Sequence, residues 1–160
     1  MEKKVISSTF SIYKRLEDLP ESVQKLFQQA EKARDQAYAP YSNYLVGAAI
    51  ELESGKIITG NNQENAAYPS GLCAERTAIF YAGANFPQEK IKKMVICIKS
   101  PEKTIDIPGS PCGACRQAIA EYEFKQNSNI EIFMRGEIGE IWKSDSLLNL
   151  LPLAFNSSFL

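Results

Sequence analysis

Three cysteines and one glutamate carry the chemistry that this chain offers. Cys112-Gly113-Ala114-Cys115 sets two thiols three residues apart where a helix is predicted to start. That spacing puts them on one helical face, one turn apart. Cys73 opens a second predicted helix. Helix N-termini favour thiolates through their free N–H groups and the helix dipole. Zinc binds thiolates at about 2.3 Å, and a catalytic zinc keeps three protein ligands and one open position. Two helix starts converging on one ion would supply those ligands as Cys73, Cys112 and Cys115. Such an ion lowers the pKa of bound water to about 7. Three thiolates work against this by donating charge, so a nearby cation is expected, with Arg76 and Arg116 beside the ligand positions as candidates. Glu75, two residues after Cys73, is the natural proton carrier, because the chain has no histidine.

Other readings of the same residues stay open. A lone CxxC also suits a redox pair or half of a structural zinc site. Cys97 could complete a four-cysteine structural site in a binding module. It lies, however, within the apolar run Met94 to Ile98, where a free Cys commonly packs as a small hydrophobe. A glutamate at a helix start can simply complement the dipole.

Composition narrows the partners. The chain has 160 residues, 18 Lys and Arg against 19 Asp and Glu, and 44% apolar residues. This fits one domain with one core. Balanced charge offers no footprint for nucleic acid or an anionic membrane and is compatible with a small uncharged ligand. A nucleic-acid editor would need a basic track with exposed aromatics. No segment reaches membrane-span length, and Met1 to Arg15 lacks an apolar signal core, so a cytoplasmic setting is expected. The missing histidine excludes Ser-His-Asp and Cys-His catalysis.

The elements that must position these residues follow from periodicity. Val5 to Tyr13 could form an edge strand or docking arm. Asp18 is expected to cap a helix with Pro20 in its first turn, built on Val23, Leu26, Phe27, Ala30, Ala33 and Ala37 and stopped by Pro40. Val46–Leu52 and Lys56–Gly60 read as a hairpin around Ser54-Gly55. A helix from about Cys73 to Ala82 is expected to end at Gly83. Met94 to Lys99 reads as a buried strand. Ser110 is expected to cap a helix with Pro111 first, running to about Tyr122. Ile130–Met134 and Glu140–Trp142 are strand candidates, and Leu147–Leu151 a short helix. Helices interspersed with strands predict an α/β fold, a three-layer α/β/α sandwich with a central mixed sheet of about five strands.

Cys73-Ala74-Glu75-Arg76 and Pro111-Cys112-Gly113-Ala114-Cys115-Arg116-Gln117 together resemble the zinc-dependent cytidine deaminases, in which a glutamate that is not a ligand precedes Pro-Cys-x-x-Cys. Cys in the first ligand position resembles the small homotetrameric branch acting on free nucleosides. Ala39-Pro40-Tyr41-Ser42-Asn43, Val46-Gly47-Ala48-Ala49, Asn62 to Tyr68 and Leu150-Leu151-Pro152 extend the likeness from about Leu19 to Phe155. Residues 1–18 lie outside it as an N-terminal extension, and residues 19–160 form the single catalytic domain.

The resemblance implies one zinc ion per subunit and a homotetramer. It implies ribose contacts from Asn62 and Glu64, a base-stacking aromatic at Tyr44, and a backbone contact to the pyrimidine at Ala74. Tyr68 and Phe155 would complete a neighbouring subunit's site. The implied reaction is hydrolytic deamination of cytidine or deoxycytidine. Zinc-bound hydroxide attacks C4 while Glu75 protonates N3, and ammonia then leaves. Tyr44 departs from the usual Phe, Leu45 from a common Pro, and Asn61 from a frequent Cys. A deaminase of another cytosine nucleoside, such as an aminoacyl nucleoside antibiotic, is the nearest alternative.

Overall fold

Val23, Leu26, Phe27 and Ala30 recur at helical spacing, and they form the buried stripe of α1 (Glu21–Arg34). A computed structural model describes the whole chain, residues 1–160. Six strands make one sheet: β1 (Ser11–Tyr13), β2 (Leu45–Leu52), β3 (Ile57–Asn61), β4 (Ile91–Lys99), β5 (Glu131–Arg135) and β6 (Ile141–Ser144). Their order is β1-β6-β5-β4-β2-β3. Only β4 and β5 pair in parallel, with α3 (Gly113–Gln126) as the crossover.

Both faces of the sheet are covered. Side chains alternate along a strand, so neighbours on β2 and β4 serve opposite layers. Ala49, Val95, Cys97 and Phe133 face α1, against Val23, Leu26 and Phe27. Ala48, Ile50, Met94, Ile96, Ile132 and Met134 face the other way, against Ala78, Ile79 and Ala82 of α2 (Ala74–Asn85) and Ile119 and Ala120 of α3. Each fully buried Ile, Leu or Phe contributes roughly 1.5–3 kcal/mol. The three-layer α/β/α architecture and mixed sheet agree with expectation.

The sixth strand, beyond the expected five, comes from residues read as an extension. β1 adds antiparallel to β6, pairing Ile12 with Trp142. Phe10 packs its ring on Trp142 at 5.7 Å between centroids.

Several boundaries move for local reasons. Asp18 does not cap α1. It ends a 3-10 turn, Leu16–Asp18, where it accepts from the Arg15 backbone N–H at 3.1 Å, and Pro20 takes the cap position. The helix ends at Arg34 rather than near Pro40, because the Tyr38 backbone is spent on another segment. Tyr38 N–H donates to Asn62 at 3.0 Å, and its carbonyl accepts from Glu64 at 2.8 Å. α2 runs through Gly83, where a side chain would strike Tyr122 of α3; the glycine serves helix–helix approach, not termination. α3 begins at Gly113 with Cys112 in the cap position, not Ser110. Leu147–Asn149 is a single 3-10 turn rather than a longer helix.

Gly60 decides how α2 meets the sheet. A Cβ there would lie 2.5 Å from the Ala74 carbonyl oxygen and 2.6 Å from the Ala78 nitrogen. Only the bare glycine lets the first turn of α2 seat on β3, and that turn carries Cys73 and Glu75.

Candidate active site

Cys73 and Cys112 occupy the cap positions of α2 and α3, both with extended backbone, and neither side chain caps its own helix. Their carbonyls accept the first helical bonds, from Thr77 at 3.0 Å and Arg116 at 2.9 Å. The thiols are therefore free to turn to a common centre. Cys73 Sγ and Cys112 Sγ lie 3.8 Å apart, and the sulfurs of Cys73, Cys112 and Cys115 all fall within 4.8 Å of one another. A tetrahedral zinc with sulfurs at about 2.3 Å holds them about 3.8 Å apart, so the donor set fits that ion. Cys115 is buried, Cys73 half-buried and Cys112 exposed, which leaves the group open on one side.

Ionisation within the group is shared. Hydrogen bonding with Cys115 and then with Arg76 holds the Cys73 thiol down at about 5, against the opposing effect of burial. The same Cys73 contact, together with burial and the Glu75 charge, pushes Cys115 far up. One negative charge is favoured and a second opposed, and a bound cation relieves that opposition.

Arg76 supplies part of the compensation directly. Its guanidinium donates to Cys73 Sγ at 3.6 Å, while its Nε is buried without a partner. Arg116 is used differently. It donates to the Pro111 carbonyl at 2.8 Å, the Leu150 carbonyl at 2.8 Å and Ser110 Oγ at 3.4 Å. Its donors brace the Ser110–Cys112 approach to α3 and the C-terminal segment, so the direct thiolate contact falls to Arg76 alone.

Glu75 is only 4% exposed. Burial pushes its carboxyl up, and the Cys73 charge pushes the same way. A carboxyl so placed holds its proton more readily than a free one and can still give it up. Tyr44 stands close enough for its phenol to be raised by burial and by the Glu75 charge.

A cleft of about 410 Å³ brings Asn62, Glu64 and Tyr68 together with Cys73 and Arg76. Asn62 Oδ1 accepts from Val46 N–H at 2.8 Å and its Nδ2 donates to the Tyr44 carbonyl at 2.8 Å. Glu64 accepts from Tyr41 N–H at 2.9 Å, Ser42 N–H at 3.3 Å and Ser42 Oγ, and the Ser42 contact holds its carboxyl below the usual range. Ala74 is buried at the head of α2. Tyr68 is 74% exposed, with its ring 5.9 Å from that of Tyr41. Phe155 is 56% exposed and stacked on Phe159, and Gln117 of α3 donates to its carbonyl at 2.9 Å. A second depression, of about 250 Å³ at the far end of α2, is lined by Phe86, Lys90 and Tyr122 and holds no thiol.

Two supporting residues went unassigned in the sequence. Ser42 orients Glu64 and sits in a segment quoted only as a likeness. Glu123, 5% exposed on α3, accepts from Ile130 N–H, Leu147 N–H and Ser146 Oγ at 2.7–2.8 Å. It ties α3 to the turn that leads into the C-terminal segment. No spacing signals such a carboxylate, since its partners come from the tertiary fold.

The chain is similar to several known proteins. A family model described as "Cytidine and deoxycytidylate deaminase zinc-binding region" matches residues 20–128. A cytidine deaminase of Sporosarcina psychrophila is 41% identical over 136 residues, 84% of this chain and 91% of that one. One from Halalkalibacterium halodurans is 39% identical over 134 residues, 84% of this chain and 94% of that one. The solved structure of a cytidine deaminase from Burkholderia pseudomallei superposes with a TM-score of 0.70 at 36% identity, over 82% of this chain and 97% of that one.

Proposed function

The chain belongs to the cytidine and deoxycytidylate deaminase family, and from that membership we propose that it deaminates free cytosine nucleosides by hydrolysis, giving uridine or deoxyuridine and ammonia. The observation that carries this reading is the buried Glu75 beside three converging thiols, one of which, Cys73, lines the same cleft as Asn62 and Glu64.

Cys73, Cys112 and Cys115 hold the zinc, which when bound supplies Lewis acidity and a readily ionised water at neutral pH. Glu75 takes the proton of the attacking water and delivers it to ring N3. Glu75 then takes the remaining proton of the hydroxyl now bonded to C4 and passes it to the amine as the C4–N bond breaks, leaving the C4 carbonyl and ammonia. Its raised proton affinity suits both directions of transfer. Arg76 offsets the charge of the thiolate at Cys73. The Ala74 backbone meets the pyrimidine, the Tyr44 ring stacks on it, and Glu64 with Asn62 receives the sugar hydroxyls.

The exposed rings of Tyr68 and Phe155 support a homotetramer in which each subunit completes its neighbour's site. Charge balance supports a small uncharged substrate over nucleic acid. No helix is long and apolar enough to cross a membrane, and four free cysteines suit the reducing cytoplasm.

Zinc-loaded protein incubated with cytidine tests the reading. The expected result is the cytidine-to-uridine absorbance change with an equal release of ammonia. Folded, zinc-loaded protein that leaves cytidine and deoxycytidine unchanged overturns it. Turnover confined to an aminoacyl cytosine nucleoside would move the assignment to that substrate.

A further inference from the structure

Asn62 faces the cleft, yet most of its bonding is directed elsewhere. Its backbone N–H donates to the Val46 carbonyl at 3.2 Å, and its carbonyl accepts from Tyr38 N–H at 3.0 Å. Its side chain repeats the pattern, bridging Val46 N–H and the Tyr44 carbonyl at 2.8 Å each. An amide offers two N–H donors and an oxygen with two lone pairs. One N–H and one lone pair are therefore committed before any sugar arrives.

Those bonds fall on a segment that needs holding. Asn43 adopts a left-handed backbone with φ 53°, and Tyr44 follows it directly. That conformation is uncommon outside glycine and persists where the surroundings enforce it. Glu64 holds the preceding residues, Tyr41 and Ser42, through the bonds described above. The Asn62 side chain secures the other side of the turn, at Tyr44 and Val46, where β2 begins.

We propose that Asn62 is, besides a sugar contact, a positioning residue for Tyr44: it fixes the backbone on which the base-stacking ring stands, and part of the effect of its loss acts through that ring. Sugar recognition and base stacking are then coupled through one amide. A ring fixed before binding spares the cost of ordering it in the complex. The inference rests on the nucleoside reading of the site.

A double-mutant cycle tests it, with kcat/KM on cytidine measured for the wild type, Asn62→Ala, Tyr44→Ala and the double variant. Independent actions multiply, whereas an action routed through a partner disappears when the partner is gone. Asn62→Ala is expected to lose at least about threefold more in the wild-type background than in the Tyr44→Ala background, where only its own contact with the sugar is left to lose. Full multiplication of the two losses overturns the inference, because a sugar contact acting alone, or a general folding defect, costs the same whether or not the ring is present. Thermal melting checks the fold. Should Asn62→Ala melt early, Asn62→Asp keeps the acceptor for Val46 N–H, loses the donor to Tyr44, and is expected to show the same dependence on the ring. Wild-type turnover is measured first: its absence overturns the functional reading and this inference together, while turnover with multiplying losses overturns this inference alone.

Discussion

The guanidinium of Arg76 donates to the sulfur of Cys73 across 3.6 Å, and both residues belong to the first turn of α2. Positions three apart on a helix share a face, so the chain supplies a metal ligand and its counter-charge from one turn. Arg76→Ala is expected to weaken zinc binding about 10- to 100-fold, the usual effect of removing a group that bonds to a ligand. Zinc competition against a chelator measures it. The metal-free protein gives a second readout. The Cys73 thiol ionises at about 5 against an ordinary 9.0, and only the thiolate reacts with an alkylating reagent. Alkylation of Cys73 is expected to rise as pH passes through about 5, and at higher pH in Arg76→Ala. The lowered value also adds stability to the metal-free fold that is fully present above 9.0 and lost as pH falls through about 5.

Much of this site was legible before the fold was known. Cys73, Glu75 and Cys112-x-x-Cys115 carry their chemistry in residue type and local spacing, and the helices they open were expected within a few residues. The α1 stripe and the β2–β3 hairpin were legible because periods of 3.6 and 2 are local signals. Partners set by tertiary contact were not. Arg116 looks equivalent to Arg76 in sequence, since each follows a ligand cysteine closely. Only the fold shows that Pro111, Leu150 and Ser110 take its donors. Gly83 read as a helix stop because a packing glycine and a terminating one are identical in sequence. The early end of α1 was hidden for a similar reason: the pairing of Tyr38 with residues 62 and 64 is long-range.

Cys97 separates a catalytic zinc from a four-cysteine structural site. It is fully buried on the α1 side of the sheet, with its thiol donating to the Gly47 carbonyl at 3.7 Å. The three clustered thiols belong to the starts of α2 and α3, on the other side. Burial pushes the Cys97 thiol up to about 12, so it is expected to resist alkylation in the folded protein at neutral pH. Cys97→Ser is expected to keep one zinc per chain and to lose about 1–3 kcal/mol of stability, the cost of a hydroxyl in an apolar layer. Metal analysis and thermal melting check both. Loss of zinc in this variant would restore the structural reading.

The N-terminal segment earns its place through packing. Phe10 sits against Trp142, β1 extends the sheet along β6, and Ser8 Oγ donates to the Asn149 carbonyl at 2.5 Å. None of these contacts enters the cleft. Phe10→Ala is expected to lower stability by about 1–2 kcal/mol, the partial burial of one aromatic ring. That corresponds to a fall of roughly 2–8 °C in melting temperature for a domain of this size. The KM for cytidine is expected to hold within about twofold, since distant, unshared contacts act independently. A large rise in KM would show that the segment reaches the site.

Glu75 makes the sharpest division between binding and turnover. It is not among the clustered metal donors, yet it lies beside them with its carboxyl buried. Glu75→Gln preserves the shape and removes the proton carrier, so zinc content should be unchanged while kcat falls on the order of 10²–10⁴-fold. Glu75→Ala should keep zinc and lose turnover as well. The metal-free proteins add a pH signature. Burial raises the Glu75 carboxyl above its ordinary 4.5, so between that value and its raised one the folded chain binds more protons than the unfolded chain. Stability from this group therefore falls as pH rises through that window. Glu75→Gln has no such proton, and its stability relative to the wild type should increase with pH across the window and level off above it. Denaturant titrations of both metal-free proteins from pH 4 to 8 give that difference directly. A flat difference would mean that the carboxylate is as well solvated folded as unfolded, and the proton-shuttle role would then lose its physical basis.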